Sequence, residues 1–137
     1  MSRVLIVYST KKNLKSLAQG LKEALEGQGA RVDLEKAKRR EKPLSLAKYD
    51  VVLFGSPILG LFGGKIDNGI AEFLKDCKGT TGQKSIAFVN SGLLGSSKSL
   101  KKLMKKLEQQ GCMVYDFRSF KNKEAAKRYG SEINLEN

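Results

Sequence analysis

Three stretches rich in Ser, Thr, Asn and Gly follow apolar runs in this chain. Ser9-Thr10-Lys11-Lys12-Asn13 follows Val4–Tyr8, Gly55-Ser56-Pro57 follows Val51–Phe54, and Asn90-Ser91-Gly92 follows Ile86–Val89. Hydroxyls, amides and backbone N–H groups of this kind bind anions better than they move protons. The first stretch stands where a strand gives way to a helical pattern. There the helix dipole and its unpaired N–H groups add to Lys11 and Lys12 in attracting a phosphate. An ordinary helix cap beside two solvated lysines would use the same residues. The chain has no histidine, and among the nearby carboxylates Asp67 is the main one. His-based triads, His metal sites and the usual proton shuttle near neutral pH are therefore excluded. A bound cofactor, or simple binding, is the economical expectation.

Other phosphate motifs fail. The nearest approach to a Walker loop, Gly60-Leu61-Phe62-Gly63-Gly64-Lys65-Ile66, has the wrong spacing and no hydroxyl residue after the lysine. No G-x-G-x-x-G follows the first apolar run, which argues against a dinucleotide Rossmann site. A receiver-type phosphorylation site needs carboxylates at the strand ends, where Ser9 and Gly55 stand. Cys77 and Cys112 lie far apart without metal-ligand spacing, so no metal is expected and both are read as reduced packing residues of a cytoplasmic protein. No apolar run approaches the ~20 residues of a membrane span, and Met1-Ser2-Arg3 leads into a strand without a signal-peptide pattern. With 26 Lys and Arg against 14 Asp and Glu, the formal charge is +12. Such a field attracts phosphates, nucleic acids, anionic membranes or acidic proteins. A Lys-rich solvated surface is its bland counterpart.

The elements that must position these loops alternate in type. Val4–Tyr8 reads as a central strand, and Leu14, Leu17, Ala18, Leu21 and Leu25 keep to one face of a helix stopped by Gly27 and Gly29. Val32 and Leu34 alternate with charged residues, as on an edge strand. A basic connection, 36–42, ends at Pro43, with a short helical turn expected near Leu44–Lys48. Val51–Phe54 is the next buried strand. Ile66, Ile70, Phe73 and Leu74 mark a helix face, in which Gly69 is costly by about 1 kcal/mol relative to alanine. Ser85–Val89 is the fourth strand, Ser96 or Ser97 caps a helix carrying Leu100, Leu103, Met104 and Leu107, and Met113–Phe117 is the fifth. A last helix packs Ala125, Ala126 and Tyr129. The expectation is one domain over 1–137, an α/β fold: a three-layer α/β/α sandwich around a five-stranded parallel sheet in the order 2-1-3-4-5. Its switch point, where ligands of open α/β sheets bind, would fall between the first and third strands.

Over nearly its whole length the chain resembles the flavodoxin-like family. Val4-Leu5-Ile6-Val7-Tyr8-Ser9 followed by Asn13 is similar to that family's first strand and phosphate loop. Tyr49-Asp50-Val51-Val52-Leu53-Phe54-Gly55-Ser56-Pro57 is similar to its third strand and second flavin loop. The resemblance implies non-covalent FMN, with its phosphate at Ser9, Thr10, Lys11, Lys12 and Asn13. The flavin ring would lie between Ser56, Pro57, Ile58, Leu59, Gly60 and Phe62 on one side and Asn90, Ser91, Gly92, Leu93 and Gly95 on the other. Phe62 and Leu93 would meet the ring faces, and Gly60 and Gly92 would allow close backbone approach. The chain carries Lys12 and Leu14 where the family's loop usually has glycine and a hydroxyl residue.

Two functions follow. One is electron transfer, or a small flavin-dependent reductase, served by FMN and an acidic redox partner. The other is a module of the same shape that has lost FMN and docks acidic protein or nucleic acid through 36–42 and the lysines of 98–106. Nucleic acid is the less favoured partner, because few aromatics interleave with these lysines.

Overall fold

Apolar runs of four or five residues, such as Val4–Tyr8 and Val51–Phe54, have nowhere to go but between two layers of helix, and they form the centre of a parallel sheet. The computed structural model describes residues 2–59, 64–91 and 96–135. In chain order the elements are β1 (Arg3–Tyr8), α1 (Leu14–Gly27), β2 (Arg31–Lys36), β3 (Leu44–Ser45), β4 (Val51–Ser56) and α2 (Gly69–Lys75). There follow β5 (Cys77–Lys78), β6 (Lys84–Asn90), α3 (Ser96–Gln109), β7 (Met113–Phe120) and α4 (Lys123–Glu132). The main sheet runs β2-β1-β4-β6-β7 with every pair parallel. With the two short strands set aside, this is the expected 2-1-3-4-5 order.

Alternate residues of the same strands feed two cores. Val4, Ile6, Leu53, Ile86 and Phe88 pack with the apolar faces of α1 and α4. Leu5, Val7, Val52, Phe54, Ala87 and Val89 pack with those of α2 and α3. On the edge strand β2 only Val32 is buried, residues 33–35 are half-buried, and Arg31 and Lys36 stay exposed. Its Glu35 pairs with Arg40 of the basic connection at 2.8 Å. The other edge, β7, shifts register between Ser85 and Ile86 of its neighbour and leaves Met113, Tyr115 and Phe117 about half exposed. Asn122 caps α4 by accepting a bond from the Ala125 N–H at 3.0 Å.

Three local expectations are corrected. The short helical turn expected near Leu44–Lys48 is confined to 46–49, where the Tyr49 N–H donates to the Leu46 carbonyl at 3.0 Å. Leu44 and Ser45 instead pair in parallel with Cys77 and Lys78 as a separate two-stranded sheet. Ser96 and Ser97 lie inside the first turn of α3 rather than before it. Gly69, expected as a liability inside a helix, is the first residue of α2. Glycine is needed there for space: a Cβ would stand 2.0 Å from the carbonyl oxygen of Ala37. Ile66 therefore precedes the helix.

Candidate functional site

Parallel pairing brings the carboxyl ends of β1, β4 and β6 to one edge of the sheet, with Tyr8 beside Gly55 and Ser56 beside Val89. The chain reverses direction outward from β1 at this edge, since β2 lies on one side of it and β4 on the other. Loops 9–13, 56–68 and 90–95 all leave from here. The Ser9 N–H donates to the Gly55 carbonyl at 3.0 Å, which extends the β1–β4 pairing by one residue before the first loop turns away.

That loop turns through Lys12, whose φ of 57° places it in the left-handed region; no other non-glycine residue among those described does so. The conformation is the one glycine adopts freely, so the loop keeps a glycine's backbone while carrying a lysine. Left-handed backbone costs an L-residue about 1–2 kcal/mol, and glycine would return about 0.5–1 kcal/mol of that as extra unfolded-chain entropy. Lys12→Gly is therefore expected to raise stability by about 0.5–1 kcal/mol in chemical denaturation. A loss would show that the Lys12 side chain makes up the difference. The next residues explain the second departure from the family's loop. Leu14 is fully buried and opens the apolar face of α1, so it is a core residue and not a ligand. Asn13 precedes the helix without a capping side-chain bond, and the first turn of α1 carries no acidic residue. Thr10, Lys11, Lys12 and Asn13 are all exposed.

Ser9 differs from its neighbours. It is fully buried, and its hydroxyl donates to Oδ2 of Asp67, which reaches across from the residues before α2. Ser9 Oγ in turn accepts the Lys11 N–H at 3.2 Å, and the Lys11 ammonium lies 3.7 Å from Asp67 Oδ1. Asp67 is fixed from behind as well. Its N–H donates to Ser56 Oγ at 2.9 Å, and its Oδ1 accepts the Gly69 N–H at 3.0 Å. Burial pushes the Asp67 carboxyl up, but the Ser9 hydroxyl, the Gly69 N–H and Lys11 outweigh it and hold the group below the usual carboxylate value. At neutral pH it is ionised. On its far flank lies a groove of about 270 Å³ whose lining includes Lys65, Lys102 and Lys106.

The other two loops are tied to each other. Asn90 Oδ1 accepts the Ile58 N–H at 2.9 Å. Leu59 and Lys65 exchange both backbone bonds, at 3.0 and 3.2 Å, as an isolated antiparallel bridge. Ser99 of α3 clamps the same neck: its hydroxyl accepts the Gly64 N–H at 3.1 Å and donates to the Lys65 carbonyl at 3.2 Å. Ser56 and Pro57 are buried, and the Ser56 hydroxyl donates to the Pro57 carbonyl at 3.1 Å. Ile58 and Leu59 are half-buried, and the Ser91 N–H donates to the Phe120 carbonyl at 2.8 Å. Gly60, Phe62, Gly92, Leu93 and Gly95 lie outside the described residues. Sequence reasoning did not find the part played by Asp67 or Ser99. For Asp67 the available signal was its place two residues before Gly69, where an aspartate accepts a backbone N–H in a turn.

The chemistry of loop 9–13 is that of hydrogen-bond donors and cations. Thr10, Lys11, Lys12, Asn13 and the leading N–H groups of α1 form a donor set suited to a phosphate monoester. Asp67, of the same sign as a phosphate, reaches this set through Ser9 and Lys11. Among the described residues no cluster of His, Cys, Asp and Glu could hold a metal, and no helix is long and apolar enough to cross a membrane. A larger groove of about 620 Å³ includes Met113, Tyr115, Tyr129 and Ile133 in its lining. It begins at the opposite end of β6 and β7, away from the three loops.

A family model for the flavodoxin domain matches residues 5–130. The fold is similar to that of two-electron reduced Megasphaera elsdenii flavodoxin, at TM-score 0.72 and 21% identity over 93% of this chain and 96% of that one. It is also similar to oxidised flavodoxin 1 from Bacillus cereus, at TM-score 0.69 and 15% identity over 96% of both chains. The flavodiiron protein from Giardia intestinalis aligns at TM-score 0.65 and 16% identity, over 95% of this chain but 34% of that one. At these identities the likeness is one of fold. No curated protein matches the sequence.

Proposed function

This chain belongs to the flavodoxin domain family, and from that premise we propose that it binds FMN non-covalently and passes electrons between partner proteins. The observation that carries this reading is the start of α1. A helix N-terminus with no acidic first turn and no side-chain cap follows the central strand at the point where the sheet order reverses. Thr10, Lys11, Lys12 and Asn13 would hold the phosphate together with the first N–H groups of α1, and Ser9 would join them through its hydroxyl. Residues 56–59 and 90–91 would border the ring, with Gly60, Phe62, Gly92, Leu93 and Gly95 completing its place. When bound, FMN would supply one- and two-electron redox chemistry. The protein's part is to bind it, orient it and keep water from it.

The surface supports an acidic redox partner. Lys98, Lys101, Lys102 and Lys105 of α3 are exposed beside the loops, on a chain of net charge +12. The thiols Cys77 and Cys112 are unpaired, which supports work in the cytoplasm.

The test is a titration of purified protein with FMN and with riboflavin, which lacks the phosphate. FMN is expected to bind with its flavin absorption shifted, at least about tenfold more tightly than riboflavin, a difference of about 1.4 kcal/mol. A colourless protein that takes up neither compound would remove the reading. One observation favours the second function, a module without FMN: the Asp67 carboxylate already engages Ser9 and Lys11. That function predicts retention of an acidic protein or nucleic acid that weakens steeply as salt rises.

A further inference from the structure

We propose that Asp67 is a built-in occupant of the anion cradle: its carboxylate holds the phosphate's place, and FMN is admitted only when it lets go of Ser9 and Lys11. The ligand named here rests on the FMN reading above. The competition rests on the geometry of this chain alone.

The donors converging on Asp67 are of the kinds a phosphate monoester accepts: a hydroxyl from Ser9, a backbone N–H from Gly69 and an ammonium from Lys11. They reach it from two separate loops, since Ser9 and Asp67 are 58 residues apart in the chain. Ser9 is fully buried, so its hydroxyl can meet only what enters the crevice. That hydroxyl has one proton to give. It already accepts the Lys11 N–H, and its own proton is committed to the carboxylate. A phosphate brought to Ser9 would therefore lose this donor to Asp67 and would stand beside an ionised group of the same sign.

The structure also shows where the carboxylate could go. Asp67 lines a groove shared with Lys65, Lys102 and Lys106, a second basic surrounding besides Lys11. The Asp67 N–H is held by the Ser56 hydroxyl, so the backbone can keep its place while the side chain turns and gives up the bond from the Gly69 N–H. Neutralising Asp67 should free Ser9 and Lys11 for an outside anion. Leaving it charged should keep affinity for phosphate low.

The experiment compares the full-length protein with Asp67→Asn, which keeps an oxygen for the Gly69 N–H and removes the charge. Asp67→Ser is a second variant that preserves a turn-forming acceptor should the asparagine fold poorly. Two readouts are taken: the shift in melting temperature on adding inorganic phosphate, and binding of FMN and riboflavin by fluorescence quenching. Phosphate is expected to raise the melting temperature of the variants more than that of the parent protein. FMN is expected to bind the variants at least about tenfold more tightly, with riboflavin little changed. Variants with no larger phosphate shift, and equal or weaker FMN binding, would overturn the proposal while leaving the FMN reading intact if the parent binds FMN. Variants that respond to phosphate while no form takes FMN would support the proposal and remove the FMN reading.

Discussion

Phe88→Ala is expected to lower stability by about 3–5 kcal/mol, the range for deleting a buried phenylalanine. Phe88 is fully buried on β6, in the layer between the sheet and helices α1 and α4. Its ring fills the space that a side chain at Gly55 would need: a Cβ there would come within 2.2 Å of it. It leans on Phe120 at 5.8 Å between ring centroids, and Phe120 leans on Tyr129 of α4 at 5.5 Å. The row of three rings thus joins the middle of the sheet to the last helix. A domain of this size is stable by only about 5–15 kcal/mol, so one truncation should remove a large part of the margin. Urea denaturation of parent and variant measures it. A loss below about 1.5 kcal/mol would mean that neighbouring side chains collapse into the hole.

Gly69→Ala is expected to be nearly as damaging, and in the direction opposite to helix propensity. Propensity alone favours alanine over glycine in a helix by about 1 kcal/mol. Here the added Cβ would stand 2.0 Å from the Ala37 carbonyl oxygen. That carbonyl cannot swing aside like the tip of a lysine, because Ala37 is buried and its N–H is bonded to the Tyr8 carbonyl at 2.8 Å. The start of α2 would have to shift, and Asp67 with it. Overpacking of this kind costs about 1–3 kcal/mol and occasionally more; with backbone on both sides, the upper end is expected. At about 4 °C per kcal/mol, the melting temperature should fall by about 10 °C. A rise in melting temperature would show that the helix start gives way easily.

The order of the main sheet was legible because its inner strands are unbroken apolar runs, and because each crossover is long enough to demand parallel pairing. Val4–Tyr8 and Val51–Phe54 needed no other information. The strands β3 and β5 were not legible. Two residues each carry no period, and they are held by a partner more than thirty positions away. Gly69 was read through propensity, whereas its reason is a carbonyl from another loop. The loop 9–13 was legible as a polar, basic turn after the first strand. Which of its hydroxyls is free was not, because the bond that commits Ser9 comes from Asp67 in a different loop. Lys12 is an intermediate case. The resemblance marked it as a glycine position, and only the backbone angle shows that the glycine's conformation survives its loss.

The neck at Leu59 and Lys65 has a bearing on how this protein can diversify. Two backbone bonds join Leu59 to Lys65, and Ser99 grips Gly64 and Lys65, so the chain is tied together on either side of 60–63. Closing a longer excursion over the same base would cost only about 0.6 kcal/mol per doubling of length. Changes of length or sequence between Leu59 and Gly64 are accordingly expected to carry little penalty for the scaffold beneath.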